Sequence, residues 1–343
     1  MNPKIIFIGT PDFSAIILKT LCESEYKPIL VVTASDKPVG RKQIITPPPV
    51  KVLAEKYGIE ICQPEKIEKR ASSYRSEDGE EGKVLFDYCK LKIENCKPDL
   101  IIVAAYGQIL PKEILEIPKN GCFNIHPSLL PKYRGSTPIQ AAILNGDKKT
   151  GVTIILMDEK MDHGPIVNQR ALEIEENETA TALYDKLAEF GASLLLETIP
   201  KWQKGMLKTR PQDETEATYT KILTREDGRI NWKKTAGELE REVRAYTLWP
   251  ESFTFWERRG GLIFRIKILK ARVQKSTGRV SYPIGKILVV PQNEIGVQCG
   301  GGFFPGRGGD FLVIERLKME GGGEMGSEEF LRGHPEFIGT ILK

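Results

Sequence analysis

Three side chains of one chemical set stand in a single stretch, Gly121 to Val167: the amide of Asn124, the imidazole of His126 and the carboxylate of Asp162. Each lies where an apolar, β-prone run meets Pro or Gly. Cys122-Phe-Asn-Ile125 alternates as the end of a strand, and Pro127 stops regular pairing. Asp162 follows a second apolar run, Val152 to Met157, and Gly164-Pro165 keeps its loop from continuing as helix. Asn124 and His126, two residues apart on a strand, point the same way. Together such groups can carry out acyl transfer to an outside nucleophile. The N–H groups of Asn and His can stabilise the oxyanion of a tetrahedral intermediate. An imidazole can also move a proton, with a carboxylate fixing its tautomer. Taken one by one, polar residues in such loops are more often simple caps, so the surrounding elements and words must decide.

The elements point to one architecture. Lys4 to Gly9 reads as a buried strand, and Phe13, Ile16, Ile17 and Leu21 follow at helical spacing. Strands are expected at Ile29 to Thr33, Ile59 to Cys62, Leu100 to Ala105, Val152 to Leu156 and Ile166 to Leu172. Helices are expected near Val50 to Tyr57, Val84 to Ile93 and Ala180 to Thr198. This alternation predicts an α/β domain, a doubly wound, mostly parallel sheet. Ligands of such sheets bind beyond the carboxyl ends of the strands, the edge that Asn124 and His126 mark. The first turn, Gly9-Thr-Pro-Asp-Phe-Ser14, is not G-x-G-x-x-G, which argues against a nicotinamide cofactor.

The grammar changes further on. Lys201 to Thr218 is charged and Thr-rich without periodicity and reads as a linker. Beyond it one helix, marked by Leu239, Val243 and Tyr246, precedes short strands at Phe264 to Ile268, Lys286 to Val290, Gly296 to Cys299 and Phe311 to Glu315. Such strands predict a small β-barrel. The expected division is 1–203 for the α/β domain, 204–219 for the linker and 220–343 for the barrel.

Composition narrows the class. From Thr220 onward 21 Lys and Arg face 15 Asp and Glu, a net of +6, while the first 219 residues carry −2. A basic carboxyl-terminal part suits a polyanionic partner. The six cysteines form no C-x-x-C pair and only three histidines are present, which argues against a zinc site and a disulfide framework. No apolar run is long enough to span a bilayer, and Met1 to Lys4 leads into a strand instead of a signal peptide. A reducing, cytoplasmic setting is expected.

The words around the three polar residues are specific. Asn124-x-His-Pro-Ser-Leu-Leu-Pro-Lys-Tyr-Arg-Gly135, followed by Gly151-Val-Thr and Asp162-x-Gly-x-Ile166, resembles the folate-dependent formyltransferases. That family formylates a ribonucleotide amine, amino sugars or methionyl-initiator tRNA. The opening Gly9-Thr-Pro-Asp-Phe-Ser14 is similar to the GTP-x-F-A turn of the tRNA-directed branch and lacks the Gly-rich phosphate turn of the ribonucleotide-directed one. The segment Thr33 to Lys51, stiffened by Pro38 and Pro47 to Pro49, resembles the basic loop with which that branch enters the acceptor stem. Arg41, in Pro-x-Gly-Arg, matches the loop's key arginine, with Lys37 and Lys42 beside it. The resemblance further implies that Asn124, His126 and Asp162 are catalytic. It implies that Ser128, Leu129, Leu130 and Pro131 lie against the folate and that Tyr106 and Gly107 border its pocket, with a purely structural role for Tyr106 weighed equally. Arg244-Ala-Tyr-x-x-Trp-Pro250 resembles the start of the family's OB-like second domain.

The expected reaction moves a formyl group from 10-formyltetrahydrofolate to the α-amine of methionyl-initiator tRNA, by a monomer without a metal or covalent intermediate. Two other readings stand beside it. An amino-sugar formyltransferase is disfavoured by the basic loop and the positive second domain. A tRNA-binding protein without catalysis is disfavoured by the complete Asn/His/Asp set. The acidic segment 70–82 is expected to be a surface excursion, and the Gly-rich run 300–309 departs from the family pattern.

Overall fold

The structure, a computed structural model, describes residues 2–40, 42–64, 79–276, 282–300 and 309–343, with backbone only over 79–87. Arg41, most of the acidic segment and all but the ends of the Gly-rich run lie outside the described residues. The chain divides into two compact units. One holds Met1–Pro138, Lys149–Glu173 and Leu183–Lys221, and the other holds Ile139–Lys148, Ile174–Ala182 and Ile222–Lys343.

The first unit is built on seven strands: β1 (Ile5–Gly9), β2 (Leu30–Val32), β5 (Glu60–Cys62), β6 (Leu100–Ala104), β7 (Cys122–His126), β8 (Lys149–Leu156) and β9 (Ile166–Glu173), while β3 (Lys37–Val39) and β4 (Ile44–Thr46) pair apart from them. The order is β5-β2-β1-β6-β7-β8-β9. The first five run parallel, whereas β8 pairs antiparallel with β7 and β9 antiparallel with β8. Strands β1 and β6 are buried along their whole length, which their unbroken apolar runs require when both faces are covered. Connection length explains the second of these reversals, between β8 and β9. Nine residues join β8 to β9 without a crossover helix, so the pair has to be antiparallel.

Helix α1 (Asp12–Cys22) buries Phe13, Ile17 and Leu21 of the predicted stripe, with Leu18 buried where Ile16 was expected and Ile16 only half-buried. A Cβ on Gly9 would meet the Ser14 Cβ at 2.6 Å and the Ala104 carbonyl oxygen at 2.8 Å. Close packing of helix on strand therefore accounts for this glycine. Helices α2 (Pro49–Lys56) and α3 (Gly79–Cys96) follow the expected alternation, and the four-residue α4 (Lys112–Leu115) was not expected. Helix α5 (Pro138–Leu144) was not anticipated, because its seven residues are too few to display a period. Helix α6 (Ala180–Gln203) outruns the predicted Thr198 by five residues despite Pro200 within it. The proline-stiffened basic segment is a β3–β4 hairpin, with Lys37 opposite Thr46 and Val39 opposite Ile44.

The segment expected as a linker is itself structured on the first unit. Arg210 and Ile166 exchange both backbone hydrogen bonds, at 2.8 and 2.7 Å, and Thr218 and Thr220 bond the backbone of Arg134.

The second unit opens its main body with α7 (Ala236–Ala245), held at its start by a reciprocal capping box between Thr235 and Glu238. Strands β10 (Ser252–Glu257), β11 (Ile263–Gln274), β12 (Ile287–Val290), β13 (Glu294–Gln298), β14 (Phe311–Met319) and β15 (Glu324–Gly326) follow, then α8 (Ser327–Gly333). They form an antiparallel sheet in the order β10-β11-β14-β13-β12, with β15 on β14. Strand β11 carries register shifts between Ile268 and Ala271, and such irregularities bend a sheet towards a barrel. Trp256, Phe330 and Phe337, all fully buried, fill the concave side with Leu239 and Val243 of α7. This is a half-barrel of the OB-like kind predicted.

Candidate active site

Asn124 and His126 leave the same face of β7, and the β8–β9 loop brings Asp162 to them. Asn124 Nδ2 donates to Asp162 Oδ1 at 3.0 Å. His126 Nδ1 lies 3.5 Å from that same oxygen. Oδ2 of Asp162 accepts from the Gly135 backbone N–H at 2.8 Å. His126 is 4% exposed, and its Nε2 stands 2.9 Å from the Tyr133 carbonyl oxygen. A carbonyl can only accept, so Nε2 carries a hydrogen and Nδ1 is the nitrogen that faces Asp162. A proton arriving at Nδ1 is thus held between imidazole and carboxylate. The second N–H of the Asn124 amide has no partner among the described residues.

Backbone geometry shows what holds this cluster. Asp162 has φ 51°, a left-handed conformation costly for a non-glycine residue. Two residues on, a Cβ at Gly164 would stand 1.9 Å from the Leu156 carbonyl oxygen. Only glycine lets the loop turn back so closely on β8. Gly135 has φ 110°, and a Cβ there would meet Thr220 Oγ1 at 2.8 Å. The Arg-Gly and Asp-x-Gly words of the sequence are thus the two turns that meet through the Gly135–Asp162 hydrogen bond.

The other sequence-predicted positions divide. Ser128 and Leu130 are buried within their own loop. Ser128 Oγ donates to the Lys132 carbonyl oxygen at 2.6 Å, and Leu130 packs with Ile155 and Ile166. Thr153 donates to the Ser128 carbonyl oxygen, and Gln169 donates to that of Leu130. The side chains of Ser128 and Leu130 thus shape the loop from within, while Leu129 and Pro131 are half-buried. Tyr106 has the placement of the structural alternative. Its ring is 5% exposed and packs in the core with Ile6, Ile8, Cys62 and Cys89, so it does not line an open pocket. The aromatic ring was the apolar member of an Ala-Tyr-Gly strand end, and burial claimed it. Gly107, φ 82°, and Ala105, φ 41°, are the exposed neighbours. They extend beyond β6 next to β7, where Val103 pairs with Asn124. Lys37 and Lys42 are exposed on the hairpin with Val39, Ile44 and Ile45, whereas Lys51 is tied to Asp36 at 2.8 Å.

Sequence reasoning missed four participants: the Tyr133 carbonyl, the Gly135 amide, Arg134 and Gln212. Arg134 and Gly135 stood in the motif already quoted, and a buried arginine next to a glycine could have signalled a built turn. Gln212 gave no signal. Burial pushes the thiol of Cys122, on the same strand as Asn124, up to about 12, so it offers no thiolate nucleophile.

Comparison with known proteins agrees with this arrangement. The formyl transferase domain description matches residues 3–199, and the formyl transferase C-terminal domain description matches residues 222–335. The methionyl-tRNA formyltransferase of Bacillus velezensis is 40% identical over 339 residues, 99% of this chain and 97% of that protein. That of Enterococcus faecalis is 41% identical over 330 residues, 96% of each chain. The chain belongs to the methionyl-tRNA formyltransferase family. Its fold is shared with a more distant member of the formyl transferases, an N-formyltransferase from Helicobacter canadensis solved with folinic acid and dTDP-3-aminofucose. The TM-score is 0.60 at 19% identity, covering 92% of this chain and 99% of that one. Among the described residues no helix is long and apolar enough to cross a membrane.

Proposed function

We propose that this chain transfers the formyl group of 10-formyltetrahydrofolate to the α-amine of methionyl-initiator tRNA, with Asn124, His126 and Asp162 performing the chemistry. The observation that carries the reading is the convergence of Asn124 Nδ2 and His126 Nδ1 on one point, Asp162 Oδ1, at 3.0 and 3.5 Å. The neutral amine attacks the formyl carbon, and the carbonyl oxygen becomes an oxyanion. The Asn124 amide donates to that oxygen, and His126 acts beside it. Collapse breaks the bond from the formyl carbon to N10 of the folate. The amine gives up a proton and N10 takes one up, and the Nδ1–Asp162 pair lies where it can relay this proton through water. No covalent enzyme intermediate is needed.

Folate would sit beyond the ends of β6 and β7. The exposed backbone of Ala105 and Gly107 offers hydrogen-bonding edges to a flat pterin, and Leu129 and Pro131 offer apolar contact. The segment Thr33 to Lys51, whose sequence holds Lys37, Arg41 and Lys42, would meet the acceptor stem, since Arg and Lys suit phosphate and base edges. The second unit, with its net positive charge, would add phosphate contacts. Formyl transfer measured in a single turnover, with donor and methionyl-tRNA both saturating, tests the assignment. The wild type should form N-formylmethionyl-tRNA, and Asp162→Ala should do so about 10²-fold more slowly. Equal rates would remove Asp162 from the chemistry.

A further inference from the structure

Arg134 is the only charged residue among the largest fully buried side chains of the described protein, at 0% exposure. A buried guanidinium is costly unless each of its N–H groups is satisfied and its charge is matched. Both conditions are met by the segment after α6. Nε and Nη2 of Arg134 donate to Gln212 Oε1 at 3.1 and 2.9 Å. Nη1 and Nη2 donate to the two carboxylate oxygens of Glu214 at 3.0 and 2.7 Å, and Nη1 also donates to the Tyr219 hydroxyl at 3.0 Å. With its oxygen held in this way, the Gln212 amide has a fixed direction. Its Nε2 donates to the carbonyl oxygens of Asp162 and Gly164, both at 2.8 Å.

These two carbonyls bracket the turn in which Asp162 is left-handed, so one amide group grips the strained segment at both ends. The Arg134 backbone contributes as well, because the next residue supplies the N–H that holds Asp162 Oδ2. We infer that Gln212, oriented by Arg134 and Glu214, is a positioning residue that sets the Asp162 carboxylate against Asn124 and His126. It touches no reacting atom. The inference rests on the catalytic reading of Asp162 given above. It gives the stretch after α6 a second duty besides joining the two units.

The test uses the full-length protein. Gln212 is half-buried, so Gln212→Met and Gln212→Glu should both fold. Methionine keeps the length but donates nothing. Glutamate still accepts from Arg134 but turns oxygen towards the two carbonyls. Both variants should lose about 10- to 100-fold in kcat, the size of effect that a misplacement near 1 Å produces. KM for the folate donor and for methionyl-tRNA should stay within about twofold, since the inference has Gln212 act through Asp162 and not through a substrate. Asp162→Ala is assayed in parallel. A normal kcat in folded Gln212 variants, with Asp162→Ala impaired, would overturn the inference and leave the catalytic reading standing. A normal kcat in Asp162→Ala would overturn both. Parallel losses in kcat, KM and thermal stability would also overturn it, because they would describe a general structural role.

Discussion

Asn124 donates its side-chain amide to Asp162 Oδ1 at 3.0 Å, joining residues 38 apart in the chain. The bond fixes which end of the amide is nitrogen, because a carboxylate can only accept. The second N–H of the same amide is the one that the proposed mechanism assigns to the oxyanion.

Asn124→Ala should lower the formylation rate by about 10²-fold, the usual consequence of removing one oxyanion donor. Folding should survive, since the residue is only half-buried and its partner keeps the Gly135 amide. Circular dichroism and single-turnover assays on the same preparation make the check. A folded variant with normal turnover would exclude Asn124 from the mechanism.

Gly164→Ala probes the loop that carries Asp162. The added Cβ would stand 1.9 Å from the Leu156 carbonyl oxygen, and backbone cannot move aside as a flexible side chain can. The loop must shift, at a cost of about 1–3 kcal/mol by comparison with overpacked sites. Thermal denaturation should show a lower midpoint, and turnover should fall with it as Asp162 leaves its place. An unchanged midpoint would mean that the close approach at Gly164 is absent in solution.

Stability should depend on Glu214 in a predictable direction. The buried guanidinium of Arg134 beside it holds its carboxyl below the ordinary glutamate range. A depressed carboxyl stabilises the fold above its unfolded value and loses that contribution as pH falls through the folded one. Glu214→Gln should therefore be less stable than wild type near neutral pH, with the gap closing on acidification below the ordinary glutamate range. Denaturant unfolding at a series of pH values measures this. A gap that is constant with pH would show that the charge on Glu214 adds no pH-linked stability, contrary to a carboxyl held below its ordinary range. Half of the Glu214 side chain is exposed, so added salt should narrow the gap.

Arg41→Ala should reduce tRNA formylation by roughly 10-fold or more, given ~1–3 kcal/mol for a specific bidentate contact. Folate binding should be unaffected, because among the described residues β3 and β4 pair with each other apart from the main sheet. Paired assays of formylation and folate binding separate the two effects. Equal loss of both would mean that the hairpin supports the folate site instead of the acceptor stem.

Much of this was legible in the sequence, for physical reasons. Buried parallel strands such as Ile5–Gly9 and Leu100–Ala104 are apolar throughout, and helix α1 has a clean stripe, so the sheet could be read. The candidate trio of Asn124, His126 and Asp162 could be singled out because polar residues at apolar strand ends stand out, and the structure brings the three together. The β3–β4 hairpin escaped because its paired residues, among them Val39 and Ile44, are all exposed and show no alternation of burial. The burial of Tyr106 stayed open between two readings because an aromatic ring at a strand end can turn to either side, and packing alone decides. Gln212 escaped because its role lies in the chain reversal that returns residues 208–220 to the Asp162 loop. Nothing local to its neighbours encodes that path.

The acceptor is the claim with most at stake. Labelled 10-formyltetrahydrofolate, offered with methionyl-initiator tRNA and a nucleotide-linked amino sugar in the same reaction, tests it directly. Label should accumulate on the amine of methionyl-tRNA and stay at background on the sugar. Label on the sugar, with none on the tRNA, would contradict the proposed function.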